Sequence, residues 1–455
     1  MKSLASGGRP VLRRLASRTG YLAGLLMAGA IWIAPAAAIG IKQVQSRSGI
    51  KAWLVEDHAN PIITLRFAFR GGAALDPDGK EGLANFVAST LDEGAGDLDS
   101  QAFQRKLEDL SVSISFSAGR DTFTGRLRTL TSNSSEAFDL LRLALAKPRF
   151  DSKAVERIRR QILAGLRRSA ENPRAIASRA LMQHLFPNHP YGRASDGTAE
   201  TVPLIKLADL RVFVHQRIAR NNLLVGIVGD ITAAQTAEML ETVFGGLPGK
   251  ATPWTLPEVQ ASAGMRTIVI DKPVPQSIIR FGHAGIKRDD PDFFAAYVMN
   301  YVLGGGGFES RLYEEVREKR GLAYSAWSYL SPMNAAGLIL GGAGTANERA
   351  GETVDVLRQE WRRMADKGVS LGELEDAKTY LTGSYSLRFT SSRRIASILV
   401  GIQLQRLGID YIEKRNGLIA AIGQADVNRV AKKLLKPDGI TLVVVGRPKN
   451  VQAQP

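Results

Sequence analysis

The chain contains no cysteine among its 455 residues, which excludes disulfides, cysteine nucleophiles and cysteine-ligated metals. Histidine is nearly as scarce. Its five copies, His58, His184, His189, His215 and His283, include no pair three or four apart, so no helix presents two imidazoles on one face for zinc. The glycine run 304–307 is not followed by Gly-Lys-Ser/Thr, which argues against a phosphate-binding loop. No nucleic-acid-binding motif is present either. The arginines of segment 157–168 interleave with Ile158, Ile162, Leu163 and Leu166, as on the solvated side of an amphipathic helix.

Acidic residues are missing from the first twenty positions, which carry Lys2, Arg9, Arg13, Arg14 and Arg18. The uncharged run Tyr21 to Ala38 follows, ending in small residues. This is the layout of a secretory signal peptide, and it predicts cleavage after Ala38 and a periplasmic mature protein with no stable membrane span. A retained N-terminal membrane anchor and a mitochondrial presequence are the alternatives. The whole chain has 60 Lys and Arg against 44 Asp and Glu, a net charge of +16. Removing 38 residues with five basic charges would leave 417 residues at +11, a balance that suits an acidic partner or surface.

A length of 455 residues exceeds what one core usually serves. Elements recur in the same order twice, which predicts two homologous halves. The first half opens with Ile62 to Gly72 and closes with Asn222 to Asp230; the second opens with Ser277 to Gly285 and closes with Ile440 to Pro448. Phe67 and Phe281 are 214 positions apart, and Gly229 and Gly446 are 217 apart. Segment 249–264, rich in proline, glycine and small residues, reads as a linker between a domain at 39–248 and a second at 265–455. The expected class is α+β, each half an antiparallel-rich sheet covered by helices on one face.

Lys80 to Asp92 places Leu83, Phe86, Val87 and Leu91 at helical spacing, with Asn85, Ala88 and Ser89 on a neighbouring face. Arg70 to Leu75, the step Gly82-Leu83-Ala84 and this helix resemble the opening of the pitrilysin, insulinase and mitochondrial processing peptidase family, whose inverted motif is His-x-x-Glu-His. The resemblance implies that Asn85, Ala88 and Ser89 stand at the zinc and general-base positions. It also puts Gly165 where a later helix supplies the third ligand. By this reading the chain binds no metal, having lost every zinc-side group. The loop Asn188 to Arg193 resembles one common in the family, with His189 structural.

Val302 to Tyr329 carries a glycine-rich turn, Ser310-Arg311-Leu312 and Gly321-Leu322-Ala323-Tyr324. Ser310 can cap a short helix and Gly321 can end it, with a strand to follow. This stretch resembles the family's C-terminal signature, which makes Arg317 and Tyr324 the pair that donates hydrogen bonds to the scissile carbonyl. Val112 to Thr124 matches the region where the family offers an edge strand to extended substrate, here Ser115, Phe116 and Ser117. The resemblance therefore implies the zinc-less subunit of a bacterial heterodimeric peptidase. Its partner would be a homologous zinc-bearing subunit, its substrate an unfolded peptide, and its Arg317 and Tyr324 would work in trans. A catalytically inactive peptide-binding or scaffold protein is the alternative, with the pair as relics.

Overall fold

The computed structural model describes residues 40–454, and Gly40–Pro455 forms one compact unit. The expected signal segment 1–38 lies outside the described residues. In the first half, β1 (Lys42–Gln45), β2 (Lys51–Glu56), β3 (Ile62–Arg70), β4 (Ser113–Ala118), β5 (Thr122–Leu130) and β6 (Leu223–Gly229) form one sheet in the order β1-β2-β6-β3-β5-β4. In the second, β7 (Arg266–Asp271), β8 (Gln276–Ala284), β9 (Ala323–Pro332), β10 (Gly337–Ala346) and β11 (Thr441–Gly446) order as β7-β11-β8-β10-β9. Without β1 the two orders are identical. Each sheet has one parallel pair, β2 with β6 and β7 with β11, and is otherwise antiparallel. Between the sheets, residues 251–263 carry no helix or strand.

The duplication extends to atomic packing. Phe67 lies opposite Gly125 on the next strand, and Phe281 lies opposite Gly341. A Cβ on Gly125 would stand 2.1 Å from the Phe67 ring, and one on Gly341 would stand 2.2 Å from the Phe281 ring. Each phenylalanine thus fills the space its cross-strand glycine leaves empty. Both rings are fully buried, a burial that contributes about 2 to 3 kcal/mol apiece.

Helices of the same half cover one face of each sheet, through cores built on Ile63, Leu65 and Phe67 in the first and Ile279, Phe281 and Ile339 in the second. The other face is covered by exchange. Helix Ser392–Leu404, from the second half, lies against β6 and β3. Gly226 admits its backbone, since a Cβ there would meet the Ala396 carbonyl at 2.9 Å. Arg70 donates to the Leu404 and Gln403 carbonyls at 3.0 and 3.1 Å, satisfying the helix's last acceptors. Reciprocally, helix Pro173–Leu185 of the first half lies against β11 and β8, joining Leu181 and Leu185 to Leu338, Val443 and Val445 in a shared core.

Candidate functional site

The helix that the resemblance aligns with the zinc motif spans Leu83–Ala88, shorter than the spacing from Lys80 to Asp92 suggests. It starts at Gly82, whose φ of +94° and contact with Gly197 admit no side chain; a Cβ would lie 2.7 Å from the Gly197 Cα. The Asp76 carboxylate accepts from the N–H groups of Gly82 (2.9 Å) and Ala84 (3.1 Å), capping the free end of the helix. Burial pushes the Asp76 carboxyl up to about 7, against these bonds. Phe86 and Val87 point into the core, and the Arg159 guanidinium sits 4.9 Å above the Phe86 ring.

On the neighbouring face Asn85 and Ser89 are half-buried and Ala88 is buried. The Ser89 hydroxyl already donates to the Asn85 carbonyl at 2.9 Å. Gly165 lies on helix Ser152–Glu171, where an added Cβ would meet nothing nearer than the Arg168 guanidinium at 3.8 Å. The fold thus leaves room at that position, but the chemistry is missing. An amide, a methyl, a hydroxyl and a bare backbone do not fit zinc, which takes imidazole and carboxylate donors. Among the described residues no cluster of three or more His, Asp or Glu side chains could hold a metal ion.

Arg317 and Tyr324 are brought together. The turn 307–310 leads into Arg311–Tyr313 and a widened helical turn at Glu314–Glu318 that holds Arg317. Gly321, at φ +57°, reverses the chain into β9, where Tyr324 sits. The Arg317 guanidinium lies 4.6 Å from the Tyr324 ring, 4.8 Å from Tyr313 and 5.9 Å from Phe308, and it donates to the Tyr313 hydroxyl. Its nearest carboxylate is Glu318 at 3.6 Å. Tyr324 is 81% exposed and Phe308 is 75% exposed. The result is a cation packed among aromatic rings, with a phenol hydroxyl free for a partner.

β4 occupies the outer edge of the first sheet, beside helix Leu83–Ala88. The Gly119 N–H donates to the Thr122 carbonyl at 2.8 Å, which sets the alternation of the ladder. Counting back, Ser117, Ser115 and Ser113 turn their backbone groups toward β5, whereas Ala118, Phe116 and Ile114 turn theirs outward. Of the three predicted edge residues, then, only Phe116 offers backbone to an incoming strand. Its ring anchors the edge against Phe67, at 6.3 Å between centroids. Ser115 and Ser117 project from the opposite face, bonded to Arg126 (2.6 Å) and Thr124 (2.8 Å).

Two features escaped the sequence reading. One is an arginine-rich face formed by Arg66, Arg126 and Arg128 of β3 and β5 with Arg393 of the exchanged helix. The other is a short repeat that could have revealed the exchange. Arg-x-Ile-Ala-Ser occurs at Arg174 to Ser178 and again at Arg393 to Ser397, 219 positions later, once on each exchanged helix. The histidines are structural or peripheral. His189 Nδ1 accepts from the Tyr191 N–H, and its Nε2 meets the Pro257 carbonyl at 3.0 Å. Buried His283 accepts from Trp361 Nε1 at 2.9 Å, and burial lowers its pKa to about 4.

Comparison with known proteins agrees with this geometry. Residues 51–199 match the family model described as insulinase (peptidase family M16), and residues 205–381 match the one described as peptidase M16 inactive domain. A Helicobacter pylori protein named non-peptidase homolog YmxG is 31% identical over 383 residues, covering 84% of this chain and 85% of that protein. A Bacillus subtilis protein named uncharacterized zinc protease YmxG is 21% identical, covering 88% and 99%. Among solved structures, a peptidase M16 inactive domain from Pseudomonas fluorescens superposes with a TM-score of 0.84 at 30% identity, covering 91% of this chain and 99% of that one.

Proposed function

The chain belongs to peptidase family M16 as a member without its own zinc chemistry, and from that premise we propose that it is the supporting subunit of a two-subunit peptidase acting on unfolded peptides. The observation that carries this reading is the assembled pair of half-buried Arg317 and exposed Tyr324 in a chain that the resemblance aligns with zinc-side positions at Asn85, Ala88, Ser89 and Gly165. A pair held at the surface suits a site completed by another chain. The partner would supply a His-x-x-Glu-His helix and its zinc, which polarises the scissile bond. From this chain the Tyr324 hydroxyl and the Arg317 guanidinium would donate hydrogen bonds to the carbonyl oxygen as it gains charge. Extended substrate would add to the outward edge of β4. We further propose that residues 1–38 direct export to the periplasm.

Mixing the chain with a homologous zinc-bearing subunit should create peptide turnover that neither shows alone. Tyr324→Phe should then slow turnover about 100- to 1,000-fold. Complex formation should barely change, because the lost bond acts chiefly in the transition state. Undiminished turnover in an intact complex would overturn the proposal. A second reading, a peptide-binding or scaffold protein, is favoured by one observation: the Arg317 guanidinium is already engaged by its own Tyr313 and the neighbouring rings. The non-peptidase name of the Helicobacter relative supports the same reading.

A further inference from the structure

The exchanged helix Ser392–Leu404 covers only the β6 and β3 side of the first sheet. Beyond it lies a cavity of about 320 Å³ lined by Thr64, Arg66, Arg126, Arg128, Arg393 and Ser397, among others. Cross-strand register aligns its wall in rows: Arg66 opposes Arg126, which opposes Ser115, and Thr64 opposes Arg128, which opposes Ser113. Among the described residues, none of the four arginines has a carboxylate within ion-pair distance. Arg66 is half-buried, and both burial and the charge of Arg126 depress its pKa. Like charges held this close with no counterion repel one another. In the same wall Thr64 is 5% exposed, and its buried Oγ1 has no hydrogen-bond partner. Arg66 donates to Thr124 Oγ1 at 3.1 Å and Arg126 to Ser115 Oγ at 2.6 Å, so four guanidinium groups without a carboxylate partner beside a buried unpaired hydroxyl suit an anionic ligand.

We propose that this face receives acidic side chains from an extended peptide paired with β4, with an acid favoured at every second position. The inference rests on β4 docking as proposed above and adds the substrate class. An added strand turns alternate side chains to the face that carries Ser113, Ser115 and Ser117. These serines are short, so they leave the path open between the incoming side chain and Arg126 or Arg128. Glutamate on that face meets the arginines across β4, whereas glutamate on the other face meets Phe116 and Ile114 at the core edge.

The test uses the full chain and fluorescence anisotropy of labelled peptides. A peptide alternating glutamate with threonine should bind more tightly than one of equal composition with its glutamates in one block, and the gap should close in high salt. Arg128→Ser and Arg393→Ser, both at exposed positions, should each weaken the alternating peptide about three- to tenfold. Binding of an alternating glutamine–threonine peptide should not change in these variants. Methylating one alternate set of peptide amides should abolish binding, and methylating the other set should not. Equal binding of alternating and blocked peptides would overturn the acidic preference while leaving the docking intact. Insensitivity to both methylation patterns would instead remove the docking. Equal, arginine-dependent capture of a single-stranded oligonucleotide would show a general polyanion surface and overturn the proposal.

Discussion

The row Arg66, Arg126, Ser115 across the first sheet and the row Arg280, Gly342, Trp327 across the second occupy equivalent places in two copies of one topology. Each is overlooked by the Arg-x-Ile-Ala-Ser helix of the opposite half. In the second half the shared arginine packs on an aromatic ring within the chain, though it too has no carboxylate within ion-pair distance among the described residues. Arg280 reaches across Gly342 to lie 5.2 Å from the Trp327 ring, and Trp327 stacks on Tyr329 at 5.5 Å. Asp121 and Asp196 line the same cleft. In the first half glycine is replaced by a second arginine and tryptophan by serine, so two guanidinium groups face each other with hydroxyl partners only, Arg66 donating to Thr124 Oγ1 at 3.1 Å and Arg126 to Ser115 Oγ at 2.6 Å. The scaffold preserved the position of the arginine, while the residues facing it decided what its guanidinium packs against.

The largest test of this equivalence lies in the two cores. Phe67→Ala and Phe281→Ala should each cost about 3 to 5 kcal/mol, because each removes a fully buried ring seated on a glycine. Urea unfolding measures both. Costs differing by more than about 2 kcal/mol would mean that the halves do not share a packing solution.

Acid should separate the halves next. His283 stands at the position equivalent to Phe69, and its folded pKa is about 4 against an ordinary 6.5. A depressed pKa stabilises the fold above the unfolded value, and that contribution is lost as pH falls from 6.5 through 4. The change amounts to about 3 kcal/mol. His283→Phe should flatten this slope, while Phe69→Leu should leave it unchanged. An acid slope that persists in His283→Phe would locate the sensitivity elsewhere.

The smallest effects concern the arginines of the two sheets. Arg280→Ser should lose about 0.5 to 2 kcal/mol of cation–π and packing stabilisation. Arg128→Ser should be neutral or stabilising by a few tenths of a kcal/mol at low salt, since it relieves repulsion. Thermal unfolding at two salt concentrations compares them. A destabilising Arg128→Ser would reveal a partner within the chain and weaken the contrast.

Much of this could be read along the chain, and each success has a local cause. Phe67 with Phe281 and Gly229 with Gly446 recur at similar offsets because both copies need a core ring and a positive-φ glycine at the strand end. Tyr324 and Arg317 were legible as spatial neighbours because the turn and strand that join them are contiguous. Alternation on β4 showed two faces without showing which backbone groups point outward, since that depends on the register with β5.

Sequence alone thus determined the duplication and the residue chemistry available at Asn85, Ala88, Ser89 and Gly165, which only the family resemblance aligns with zinc positions, because periodicity and residue chemistry are local properties. Only the tertiary structure decided that each half lends a helix to the other's sheet. The same level of structure gathered Arg66, Arg126, Arg128 and Arg393, spread over 327 positions of chain, into one unneutralised face. Strand pairing and helix docking are long-range choices, set by which apolar surfaces can cover one another, and no window of sequence contains both partners.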